Sequence, residues 1–213
     1  PLLTHLEAVH IASDRNLIDV RFPVQWVIRP QSAEHPDYRG YAGQMAGGVL
    51  KTGDEVVVLP SGLSTRVAKI ETFDGALDEA FTPMSVIVHL DGDQDVSRGD
   101  MICRPHNRPI VGQDLEAMVC WMTDQPLVPR NRYALKHTTR NVRAVVTAIT
   151  YRLDVNSGHR EEGVAKLGLN DLGRISLRAT APALMNGACT ATARSAMNGS
   201  FVSPDRCEMT TAY

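Results

Sequence analysis

The chain has 213 residues, 43% hydrophobic and 22% charged, which supplies a buried core and excludes a disordered polar chain. A net charge of -2 argues against a protein whose main work is neutralising phosphates. Cys103, Cys120, Cys189 and Cys207 form no C-x-x-C pair, so a zinc knuckle has no support, and no apolar run reaches bilayer length. With no signal segment in the sequence, free thiols in a reducing cytoplasm are the expectation. Pro1 in place of a Met reads as an interior position of a longer protein.

The first ten residues carry the one helical pattern, with Leu2, Leu3, Leu6 and Val9 near one face and Thr4 and Glu7 off it. After Ser13 the pattern changes to strands and turns. Residues 20–28 are β-rich, and Pro23 among them implies an edge or a bulge. Met84, Val86, Val88 and Leu90 alternate with Ser85, Ile87 and His89, the period of a half-buried strand. Asp91-Gly92-Asp93 and other polar turns separate such runs, and Gly40, Gly53, Gly62 and Gly99 are expected at positive φ. Two prolines within residues 104–109 interrupt the strands. Residues 142–153 carry Val, Ile, Thr and Tyr at both parities and read as a long central strand buried on much of both sides. Ile175, Leu177 and Ala179 alternate with Arg174, Ser176 and Arg178. Many short strands without intervening helices predict an all-β chain of barrels or sandwiches in two domains.

The order Val20-Arg21-Phe22-Pro23-Val24-Gln25, Arg39-Gly40-Tyr41-Ala42-Gly43, Lys51-Thr52-Gly53-Asp54-Glu55-Val56 and Ser97-Arg98-Gly99-Asp100 resembles the second domain of translation-factor-type GTPases. Further on stand Met118-Val119-Cys120-Trp121-Met122, Tyr133-Ala134-Leu135-Lys136-His137-Thr138-Thr139-Arg140, Tyr151-Arg152-Leu153-Asp154-Val155-Asn156 and Leu167-Gly168-Leu169-Asn170-Asp171-Leu172-Gly173-Arg174. These resemble the large, GTPase subunit of bacterial sulfate adenylyltransferase, in some forms fused to an adenylylsulfate kinase. The resemblance implies two consecutive β-barrels of the translation-factor domain 2 and domain 3 type. It gives 1–13 as the helical tail of the GTPase domain, 14–107 as barrel domain II and 110–213 as barrel domain III. It also implies a role: coupling GTP hydrolysis to synthesis of adenylyl sulfate from ATP and sulfate. The implied partners are the small catalytic subunit, the chain's own GTPase domain and, in fused forms, the kinase; the implied compartment is the cytoplasm. GTP and magnesium would belong to the GTPase domain, because neither G-x-x-x-x-G-K-[ST] nor N-K-x-D occurs in the 213 residues. No cofactor is expected in this chain. In the tail, Gly199, Phe201 and Asp205 fit the family, but Pro204 stands where a strand should donate a hydrogen bond, so the last strand is expected as an edge or frayed.

Arg130, Arg132, Lys136, Arg140 and Arg143, with His137, form the densest basic stretch and are the candidate partner interface. The competing reading is a solvated sheet edge, since alternation sends only half of them one way. Asp91, Asp93 and Asp95 start like a calcium loop but meet Val96 and Ile102 where it needs Gly and Glu, so a polar turn is the reading. Trp26 and Trp121 are most simply packing residues, and exposure of either on a barrel would mark an interface instead. No Ser–His or Cys–His pairing, and no spaced histidine pair, points to catalysis or metal. Two alternatives remain. One is the tRNA-binding barrels of an elongation factor, against which the charge and sparse aromatics argue. The other is a stand-alone scaffold.

Overall fold

The computed structural model describes residues 16–30, 37–185, 189–193 and 206–211, together with Leu3 and Ala8, both helical. The expected N-terminal helix otherwise lies outside the described residues, as does Pro204. The strands in chain order are β1 (Arg21–Ile28), β2 (Gly40–Gln44), β3 (Val49–Lys51), β4 (Glu55–Leu59), β5 (Leu63–Thr72), β6 (Gly75–Leu77), β7 (Glu79–Phe81), β8 (Ser85–Leu90) and β9 (Met101–Cys103). After a polar connection come β10 (Ile110–Trp121), β11 (Arg132–His137), β12 (Arg140–Leu153), β13 (Arg160–Glu162), β14 (Leu172–Met185), β15 (Cys189–Ala193) and β16 (Arg206–Thr211).

Two rings of strands result. In the first, the order β4-β9-β1-β2-β8-β5 returns to β4, so no long edge is left open. β6 extends β5, and β3 and β7 form a separate pair. Strand alternation drives the closure: Val86 and Val88 turn inward with Phe22, Val24, Tyr41, Val56, Val58, Val67, Ile70 and Ile102 to fill the ring. Pro23 sits one residue before a register shift between Val24 and Trp26, so the proline does mark a bulge. Gly40 differs from expectation. Its need for glycine is steric and not a positive φ, because a Cβ there would lie 2.6 Å from Ile87 Cγ2.

In the second ring, β11-β16-β15-β10-β14-β12 returns to β11, with β13 added to β12. Trp121, Leu127, Tyr133, Leu135, Ala144, Val146, Leu167, Ile175 and Leu177 fill it. The strand expected through Pro204 lies outside the described residues, and the last described strand, β16, is paired on both sides. It pairs antiparallel with β11 and parallel with β15, which itself lies parallel to β10. Closure therefore comes from residues on the far side of Pro204. The long strand β12 is not buried on both sides. Ala144 and Val146 face the core while Asn141, Arg143 and Thr147 face outward, because one side of a barrel wall meets solvent.

Burial on both faces occurs instead in β4 and β9. Val56, Val58 and Ile102 point into the first ring, while Val57, Leu59, Met101 and Cys103 point out and pack with Leu184 of β14. This apolar seam joins the two barrels.

Candidate partner interface

The basic stretch folds as a hairpin, β11 into β12, and the register divides its side chains. Tyr133, Leu135 and His137 turn inward, and His137 is only 5% exposed. Arg132 and Arg143 turn outward and are exposed; Lys136 shares that face half-buried. The pairs Arg132↔Val145 and Ala134↔Arg143 put the two guanidiniums diagonally across the ladder. Arg130 is exposed in the turn before β11, at φ 71°, with its N–H donated to the Val146 carbonyl at 2.7 Å.

Arg140 goes elsewhere. At the hairpin tip it reaches the first barrel, where its Nη1 lies 3.6 Å from Asp100 Oδ1. Asp100 closes its own turn by accepting the Ser97 N–H at 2.8 Å. Gly99 between them has φ +97°, and a Cβ there would sit 3.3 Å from the Arg140 backbone. Burial at this junction raises the Asp100 carboxyl above its usual range, opposed by the Ser97 N–H and by Arg140. So the expected interface is two things: an outward face carrying Arg132 and Arg143 beside Arg130, and a joint between barrels made by Arg140, with His137 inside.

The outer wall of the first barrel holds a network that the sequence reading missed. Tyr38 Oη donates to Glu71 Oε1 at 2.5 Å, and Lys69 Nζ donates to Glu71 Oε2 at 2.5 Å. His89 Nε2 lies 2.8 Å from Glu71 Oε1, and its Nδ1 lies 2.9 Å from the Arg39 carbonyl oxygen. Tyr38 meets the His89 ring edge-on at 5.0 Å. Lys69, then Tyr38 and His89, hold the Glu71 carboxyl down at about 2. Burial, then the Glu71 contact, pushes the Tyr38 phenol up to about 12. The one signal in the sequence was His89 on the outward parity of β8, beside Ile87.

A cavity of about 600 Å³ opens next to this network, lined by Arg29, Tyr38, Arg39, His89 and Asp93 among others. Its charges are already matched, since Asp93 pairs with Arg39 and lies 3.5 Å from Arg29. The middle carboxylate of Asp91, Asp93 and Asp95 therefore serves as a counter-ion to arginine. The described residues contain no group of three His, Cys, Asp or Glu side chains suited to a metal. Trp121 is core, edge-on to Tyr133 at 5.6 Å, with its indole N–H donated to the Gln125 carbonyl at 2.6 Å. Trp26 is 64% exposed on β1, so the packing reading fails for it. No helix among the described residues is long and apolar enough to cross a membrane.

Comparison with known proteins accounts for both barrels. Residues 114–202 match the family model described as GTP-eEF1A C-terminal domain-like. The bifunctional enzyme CysN/CysC of Mycobacterium tuberculosis is 52% identical over 202 residues, 94% of this chain and 32% of that protein. The chain is homologous to part of sulfate adenylyltransferase subunit 1. The subunit 1 proteins of Bacteroides fragilis and Alteromonas mediterranea are 44% and 37% identical over 174 and 206 residues, which is 82% and 97% of this chain. The chain spans only 36% and 42% of those proteins. Among solved structures, Sup35 complexed with GDP aligns with a TM-score of 0.68 at 14% identity, over 87% of this chain and 45% of that one. The elongation factor SelB of Methanococcus maripaludis aligns at 0.64 and 18%, over 86% of this chain and 39% of that one. At such identity these two bear on fold alone, and the fold is that of translation-factor barrels. The subunit 1 resemblance brings GTP and magnesium with it, but the residues present do not fit them: no glycine-rich phosphate loop occurs in the 213 residues.

Proposed function

We propose that this chain is the two-barrel, non-catalytic coupling portion of the GTP-dependent subunit of sulfate adenylyltransferase. In this reading residues 1–13 are the tail of a GTPase domain, 14–107 and 110–213 are its second and third domains, and the assembly is cytoplasmic. The parent would couple GTP hydrolysis to formation of adenylyl sulfate from ATP and sulfate. GTP and magnesium would be held by the parent's GTPase domain. The partners are that domain, the small catalytic subunit and, in a fused form, an adenylylsulfate kinase.

The observation that carries this reading is sequence identity of 37–52% running through both barrels. The structure supports it in a second way. Coupling requires that a change felt by one barrel reach the other. The Leu184 seam and the Asp100–Arg140 contact supply a continuous packed path between them. The translation-factor structures lend tRNA binding no support of their own, because at 14–18% identity they bear on fold only.

The test is biochemical. The purified chain should bind the small catalytic subunit from the same organism, and it should hydrolyse GTP no faster than buffer. GTP hydrolysis above background in a clean sample, or no binding to the small subunit, would sink the reading.

A further inference from the structure

We propose that the outer face of β11 and β12 docks an acidic, carboxylate-bearing surface of the partner subunit through Arg130, Arg132 and Arg143. This rests on the coupling-module reading above. The second barrel is asymmetric in charge. Along β10, β14 and the far end of β12, three outward arginines each have a carboxylate: Arg174 with Glu116 at 2.5 Å, Arg178 with Asp114 at 2.7 Å, and Arg152 with Glu161 at 2.6 Å and Asp171 at 3.5 Å. Arg130, Arg132 and Arg143 are exposed, and none forms a salt bridge among the described residues. Arg132 and Arg143 are diagonal neighbours, and diagonal like charges repel weakly in the isolated chain. An incoming carboxylate removes that repulsion.

Ala134 and Val145 fill the ladder positions opposite the two arginines, and Thr180 donates its hydroxyl to the Arg143 carbonyl at 3.1 Å. Small side chains leave the guanidinium forks free to meet a planar acceptor edge-on, the geometry of a bidentate carboxylate contact. A nucleic acid fits this face poorly. Tyr133 and His137, the rings in the stretch, are both buried, Tyr133 with its hydroxyl 2.9 Å from the Val128 N–H, so no ring stands ready to stack a base. The net charge of -2 provides no wider positive field to hold a phosphate backbone.

The experiment measures binding of the chain to the small catalytic subunit at several NaCl concentrations. It compares the unaltered chain, an Arg132→Glu/Arg143→Glu double variant, and Arg174→Gln on the compensated side. The double variant should bind at least ~10-fold more weakly with a flatter salt dependence, and Arg174→Gln should stay within ~2-fold, as expected for steering by uncompensated charge. Circular dichroism melts check the fold, and if glutamate lowers the melting temperature, Arg132→Gln/Arg143→Gln carries the same test. Equal binding by the double variant overturns the docking face while leaving the coupling reading intact. No binding by the unaltered chain overturns both. A tRNA captured in a filter assay and lost in the double variant overturns the acidic-protein assignment in favour of nucleic acid.

Discussion

The outer walls of the two barrels handle charge in opposite ways. On the first, Glu71 gathers Tyr38, Lys69 and His89 into a closed network, and Asp93 gathers Arg29 and Arg39. On the β11–β12 wall of the second, Arg130, Arg132 and Arg143 are exposed and form no salt bridge among the described residues. A wall that satisfies itself contributes to stability of the free chain. A wall that leaves like charges side by side contributes little until something else arrives. The same strand architecture thus carries one surface whose charges are paired and one whose charges are not.

That contrast can be tested from the inside outward. Trp121→Ala empties the middle of the second barrel and should cost about 3–5 kcal/mol in urea unfolding. Trp26→Ala, on the exposed wall, should stay within about 0.5 kcal/mol. Leu184→Ala opens the seam and should cost about 2–4 kcal/mol; loss confined to the second barrel's transition would show that the seam does not join the two.

Glu71→Gln should cost about 1–3 kcal/mol, since it removes charged hydrogen bonds from the first wall. Because the Glu71 carboxyl is lowered, its contribution is present above the ordinary glutamate range and lost as pH falls toward about 2. Tyr38 has the opposite sign. Its raised phenol contributes below its ordinary value of 10.0, and that contribution is lost as pH rises through about 12. Thermal melts from pH 2 to 7 should therefore fall less steeply for Glu71→Gln than for the unaltered chain. An identical acid limb would mean that the network is not closed in solution. The smallest effect belongs to Arg132→Ala, which should leave the unfolding free energy of the free chain unchanged within about 0.5 kcal/mol in urea.

Much of the fold was legible because alternation speaks directly. Val86 and Val88, and Ile175, Leu177 and Ala179, fall inward as their period requires. What alternation alone did not settle was which strand meets protein on both sides. Residues 142–153 looked doubly buried because Thr and Tyr suit strands in any setting, yet one side of β12 is solvent-facing wall. The unbroken apolar run Val56-Val57-Val58-Leu59 was the better signal: Val56 and Val58 fill the ring while Val57 and Leu59 form the seam. The basic stretch was found as a segment, but only register could separate His137 from Arg132. The Tyr38–Glu71–His89 network joins residues up to 51 positions apart, and no local pattern in one sequence connects them. Its distances exist only after the sheet has paired.

Ring closure also sets an order of assembly. The first barrel is complete once β9 slides between β1 and β4, so a nascent chain emerging from the ribosome holds every strand of that ring by Cys103. The second ring lacks its keystone until residues 206–211 emerge, because β16 bridges β11 and β15. Such distant pairing is slow to form. Until then β11 is an unpaired edge, and the arginine-bearing hairpin waits beside a finished neighbour with nothing yet holding its far side.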